Sequence, residues 1–77
     1  MWNGKIKDLY PHQGFGHVTI NGSELLARFT TFDLHKLRIS RLRAGQPVKF
    51  DIAKGRVGLQ ALNVTLDRSG DANGLQS

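Results

Sequence analysis

Hydrophobic residues in this chain recur at every second position more consistently than at every third or fourth, and a period of two predicts strands. Val18-Thr19-Ile20 and Ser23-Glu24-Leu25 flank Asn21-Gly22. That pair suits a two-residue type I′ hairpin, because both central residues of the turn need positive φ. The two flanking strands are therefore expected to be antiparallel neighbours, with Val18, Ile20, Leu25 and Ala27 facing inward. A preceding strand runs from about Lys5 to Leu9, with Ile6 inward, and stops at Pro11, which cannot donate to a ladder. From Gln46 to Ala53, Val48, Phe50 and Ile52 alternate with Lys49 and Asp51. Lys54-Gly55-Arg56 then turns the chain into a last strand from Val57 to about Leu66. Thr31 to Leu42 breaks the period, and Thr30 or Thr31 is placed to cap a short helical turn within a long basic crossover. The reading is all-β: five short strands with a long third connection, closing as a small antiparallel Greek-key barrel.

Length and composition narrow what such a barrel can do. Seventy-seven residues bound the chain to one small domain, and zero Cys removes disulfide staples, thiolate zinc sites and thiol nucleophiles together. With 39% hydrophobic and 22% charged residues most of the chain should fold. Residues 1–66 read as the domain. Residues 67–77, rich in Ser, Gly, Asp, Asn and Gln, read as a disordered polar tail, or as the link into a longer protein. No apolar run is long enough to cross a bilayer, so stable membrane insertion is not expected. The N-terminus shows no basic segment followed by a long apolar stretch, and a cytoplasmic location is expected. Eleven Lys and Arg against six Asp and Glu give a formal charge of +5, which favours a polyanionic partner.

The outward positions carry the candidate chemistry. Alternation places Phe15, His17 and Thr19 on one face of the second strand and Leu26 and Arg28 on the same face of the third. Gly14 and Gly16 leave space around Phe15, and an exposed aromatic in clear space suits base stacking. Its alternative role is to fill a gap under the long loop. Lys5 and Lys7 join this face and are spaced to follow a phosphate backbone, although two strand lysines also serve solubility and edge protection. Within His35-Lys36-Leu37-Arg38-Ile39-Ser40-Arg41-Leu42-Arg43, the apolar members are placed to seal the barrel end. Lys36, Arg38, Arg41 and Arg43 are then left to contact phosphates or simply to be solvated.

Catalytic constellations do not assemble. His12, His17 and His35 lack a close-spaced ligand pair, so no metal is expected. Ser23 and Ser40 have no base and no nucleophile elbow, and Gly14-Phe15-Gly16 is a fragment of a nucleotide-binding pattern that opens no helix. Neither a cofactor nor a small-molecule substrate is implied, and an enzyme is the least supported class.

Five segments, in order and at matching spacing over about residues 3 to 66, resemble the cold-shock domain family. Gly4-Lys5-Ile6-Lys7 is similar to its opening Gly-Lys-Val-Lys, and Gln13-Gly14-Phe15-Gly16-His17-Val18 to its first RNA-binding motif, Lys-Gly-Phe-Gly-Phe-Ile. Leu25-Leu26-Ala27-Arg28-Phe29-Thr30 falls where the second motif reads Val-Phe-Val-His-Phe-Ser. Leu42 to Phe50 resembles Leu-x-x-Gly-x-x-Val-x-Phe, and Gly58 to Val64 resembles Gly-x-Gln-Ala-x-Asn-Val. The resemblance implies a five-stranded OB-fold that holds single-stranded RNA or DNA on aromatic residues, and an RNA chaperone or regulatory role.

The departures fall on the implied binding face. Asp8 stands where the family has a stacking Trp, His17 where it has a second Phe, and Leu26 and Arg28 where it has Phe and His. Phe15 and Phe29 remain, and His17 and Arg28 are planar groups that can still stack. Two or three lost stacks at about 1–3 kcal/mol each shift binding from stacking toward electrostatics. Trp2 is placed either to plug the barrel end or to replace a missing aromatic. The expected binding residues are Lys5, Lys7, Phe15, His17, Leu26, Arg28 and Phe29 on the sheet, with Lys36, Arg38, Arg41 and Arg43 on the loop. The competing reading is a barrel that has lost its stacking residues and serves as a protein-interaction or homodimerisation module.

Overall fold

The computed structural model describes residues 1–67. They form five strands: β1 (Trp2–Tyr10), β2 (Phe15–Ile20), β3 (Leu26–Thr30), β4 (Pro47–Lys54) and β5 (Leu59–Leu66). These close into a barrel in the order β1-β2-β3-β5-β4. Every ladder is antiparallel except β3–β5, which is parallel. A closed ring of five strands cannot alternate direction all the way round, so one seam must be parallel. The fold is the expected five-stranded OB-type barrel.

The core follows the period of two. Ile6, Val18, Ala27, Phe29, Val48, Phe50, Ala61 and Val64 are essentially sealed from solvent, and Ile20 and Leu42 nearly so. At about 25 cal/mol per Å² of apolar surface removed from water, this single cluster is what holds a chain with no disulfide together.

Local geometry corrects the sequence reading at several points. Only Gly22 of the Asn21-Gly22 pair has positive φ (81°), so the turn is not type I′. Ser23 N–H still donates to Ile20 O at 3.0 Å, but the ladder resumes only at Thr19↔Leu26. Leu25 therefore sits outside the strand and 59% exposed instead of in the core. Val57 is likewise 98% exposed in the β4–β5 loop, and β5 begins at Leu59. The strands β1 and β4 run from Trp2 and Pro47, and Trp2 to Lys5 pair with Phe50 to Pro47.

The β3–β4 connection contains 3-10 turns at Thr31–Asp33 and Ile39–Arg41. Thr30 caps the first: its hydroxyl accepts from Phe32 N–H at 3.2 Å, and Asp33 Oδ2 accepts from Thr30 N–H at 2.8 Å. Of the polar tail, only Asp67 lies among the described residues. Its carboxylate accepts from Asn3 Nδ2 at 2.7 Å and its N–H donates to Pro47 O at 3.1 Å. The rest of the expected disordered segment lies outside them.

Candidate functional site

Strand pairing gathers part of the expected site on the outer face of β1, β2 and β3. Phe15 stands opposite Tyr10 on one side and Thr30 on the other; His17 stands opposite Asp8 and Arg28. The Tyr10 and Phe15 rings stack with centroids 4.8 Å apart and planes 28° from parallel. The Arg28 guanidinium carbon lies 4.8 Å from the Phe15 centroid, over the ring. His17 meets Phe15 edge-on at 5.9 Å and 88°. Tyr10 and Arg28 come from strands on opposite sides of β2, so Phe15 is the filling of a sandwich. Its faces are covered by Tyr10 and Arg28, and those two side chains, both exposed, form the outer layers.

A bulge in β1 assembles this stack. The register slips by one between Ile6 and Asp8. Without the slip, alternation from buried Ile6 would send Asp8 and Tyr10 into the barrel, and an unpartnered carboxylate there would cost several kcal/mol. The extra residue turns both outward. Asp8 Oδ1 then accepts a hydrogen bond from His17 Nδ1 at 2.8 Å, with each side chain about one-third exposed. A carboxylate only accepts, so the proton sits on Nδ1 and Nε2 is left to meet solvent or a ligand.

The row continues past Arg28. In the parallel seam Arg28 pairs with Gln60, which in turn pairs with Ala53 of β4. Beside this row a groove of about 370 Å³ lies between β3 and the loop of residues 55–58, lined by apolar Leu26, Val57 and Leu59 and by polar residues that include Arg28 and Gln60. Gln60 Nε2 donates to Asp33 Oδ2 at 3.3 Å, which fixes the amide's orientation.

The other expected residues distribute unevenly. Leu26, 40% exposed, lines the groove. Lys5, exposed, continues the outer face toward the far end of β1, where its N–H and carbonyl exchange hydrogen bonds with the Thr19 hydroxyl. Lys7, also exposed, is the bulge residue. Lys36, Arg38, Arg41 and Arg43 are exposed on the β3–β4 connection, while Leu42 is buried and Leu37 and Ile39 pack against the core. Among the described residues no hydrogen bond, ion pair or ring contact joins these four cations to the stack or to a carboxylate.

Phe29 does not belong to the face. It is wholly buried, because it shares the inward parity of Ala27 on β3. Gly16 also works inward: a Cβ there would lie 2.7 Å from the Phe29 ring and 2.6 Å from Asp8 O, so the missing side chain makes room for the core and not for a ligand. Gly14 occupies a turn position with φ of 77°. Trp2, half exposed, stands opposite Phe50 at the other end of β1 from Tyr10. Eight residues, roughly 26 Å of strand, separate it from the stack it was a candidate to complete.

Alternation alone missed Asp8, Tyr10 and Gln60. The signal for the first two was Asp8 itself: strict alternation would bury it, and a carboxylate with inward parity marks a strand that bulges.

Comparison with known proteins finds no matching family model. Curated relatives span nearly the whole fold. A major cold shock protein of Streptococcus pyogenes serotype M1 is 35% identical over 66 residues, 84% of this chain and 96% of that protein. A cold shock-like protein of Bacillus cereus is 38% identical over 63 residues, 80% and 94% of the two chains. A cold shock protein of Bacillus subtilis is 35% identical over 65 residues, 83% and 96%.

Proposed function

Because the chain belongs to the cold-shock protein family, we propose that it is a non-enzymatic nucleic-acid-binding module that holds single-stranded RNA or DNA against the outer face of β1, β2 and β3. The observation that carries this reading is the Tyr10–Phe15–Arg28 sandwich with His17 on its edge, set on a solvent-facing sheet. Bases stack on the outer layers, Tyr10 and Arg28, each worth about 1–3 kcal/mol, while Phe15 keeps those layers upright. Leu26 adds apolar contact. Lys5 and Lys7 follow the phosphates across the sheet, and Lys36, Arg38, Arg41 and Arg43 supply a second, looser set of phosphate contacts. Phe29 takes no part beyond supporting β3 from inside. Residues 1–66 suffice as the module. Holding strands apart in this way is the chemistry of an RNA chaperone or regulator.

The test is a fluorescence-anisotropy titration with a labelled single strand and the matched duplex, each at two salt concentrations. Tighter binding of the single strand that persists at moderate salt is expected. Weak binding to both that vanishes with salt, or none, overturns the reading and assigns the face to a protein partner or a second copy of the chain.

A further inference from the structure

Resting on that reading, we propose that the groove beside Arg28 is a nucleobase pocket that selects guanine from a bound single strand. Two of its polar lining groups are complementary and held in place, beside His17, Thr30 and Arg56. Arg28 is anchored over Phe15 and presents only hydrogen-bond donors. Gln60, its partner across the β3–β5 seam, donates one amide N–H to Asp33. Asp33 is itself fixed by Thr30, whose N–H and hydroxyl it accepts at 2.8 and 3.1 Å. Gln60 Oε1 therefore faces the other way, toward Gly55 on the loop side of the groove, 3.9 Å from where a Cβ on Gly55 would stand. The pocket thus sets the donor fork of Arg28 beside the acceptor of Gln60, with Leu26, Val57 and Leu59 to cover the faces of a ring.

Each base meets this pattern differently. Guanine presents O6 and N7 as adjacent acceptors, which a guanidinium bonds in bidentate fashion, and its N1–H and N2–H₂ donors suit the Gln60 oxygen. Adenine turns its N6 amino donor toward the donors of Arg28, where guanine offers the O6 acceptor. Uracil and thymine separate their two carbonyls by N3–H, so the fork has no adjacent pair to grip. Cytosine offers adjacent O2 and N3, but its single ring covers less of the apolar wall. Val57, 98% exposed, gains most from a ring laid against it.

The experiment is an anisotropy comparison of four labelled heptameric strands, oligouridylate with U, A, C or G at the centre, at one moderate salt concentration. The guanine strand is expected to bind roughly tenfold tighter than the uridine and adenine strands, the size of one good bidentate pair. In Arg28→Lys, which keeps the charge and loses the fork, and in Gln60→Leu, the ratio between strands should fall toward one, whatever the absolute affinity. Thermal melting of each variant establishes that it is folded. Equal binding of all four strands by the unaltered protein overturns the pocket while leaving single-strand binding intact, and a preference for cytosine or adenine overturns the guanine assignment. If none of the four binds, the proposed function falls, and the pocket with it.

Discussion

The outer face of β1–β3 and the β3–β4 connection both present cations to solvent, but they hold them in opposite ways. On the sheet, Arg28 is fixed over Phe15, which is fixed against Tyr10, and each sits at a position that strand pairing determines. On the connection, Lys36, Arg38, Arg41 and Arg43 project from a backbone with only two 3-10 turns, and none is ion-paired among the described residues. The sheet is organised before any ligand arrives and can discriminate by shape. The connection meets a ligand as diffuse charge and must order its side chains on contact, at about 0.5–1.5 kcal/mol for each one immobilised. On the proposed function, one chain would carry a specific and a non-specific binding surface, distinguished by how much side-chain entropy folding has already removed.

Substitutions can separate the two. The largest effect is expected from Phe15→Ala, which leaves Tyr10 and Arg28 without the ring between them. Affinity for a single strand should drop by about 10- to 100-fold, with little change in the slope of log affinity against log salt. Affinity unchanged in a titration on a folded variant would remove the sandwich from the site. Reversing charge in the double variant Arg41→Glu, Arg43→Glu should act the other way round. A modest loss at low salt is expected, fading as salt rises, with the slope falling by about 0.7 for each phosphate contact removed. A loss that persists undiminished at high salt would count against phosphate contact. The smallest effect belongs to Asp8→Asn. The Asp8–His17 pair is about one-third exposed, so its removal should cost within ~1 kcal/mol of stability in a denaturant titration. A much larger loss would mean that the bulge depends on the pair.

The barrel was legible in the sequence wherever side-chain parity and strand continuity coincided. Ile6, Val18, Ile20, Ala27, Val48 and Phe50 all lie buried as the period of two places them. What escaped were the points where the chain leaves that period. At Asn21-Gly22 the turn tightens around one positive-φ glycine instead of two residues, which delays β3 and strands Leu25 outside. At Lys7 an extra residue reverses parity, so Tyr10 and Asp8 arrive on a face to which alternation alone does not send them. Phe29 departs for a different reason: its place in the motif suggests the binding face, whereas its parity with Ala27 turns it into the core. The placement of Gln60 is not legible locally, because it comes from a parallel neighbour 32 positions earlier and nothing near residue 60 encodes that pairing.

The odd number of strands has a consequence for how the molecule opens. Its parallel seam joins β3 and β5 through the register pairs Ala27↔Leu59 and Arg28↔Gln60, against four to six pairs in each antiparallel ladder, with one further bridge, Leu34↔Val64, beyond the end of β3. The barrel should therefore breathe first along this line, and amide protons there should exchange with solvent ahead of those between β1 and β2. A nucleotide seated across Arg28 and Gln60 bridges the same line. It would act as a clasp, closing the barrel along its shortest ladder, and at a hundredfold excess over its Kd would add about 2.7 kcal/mol to the closed form.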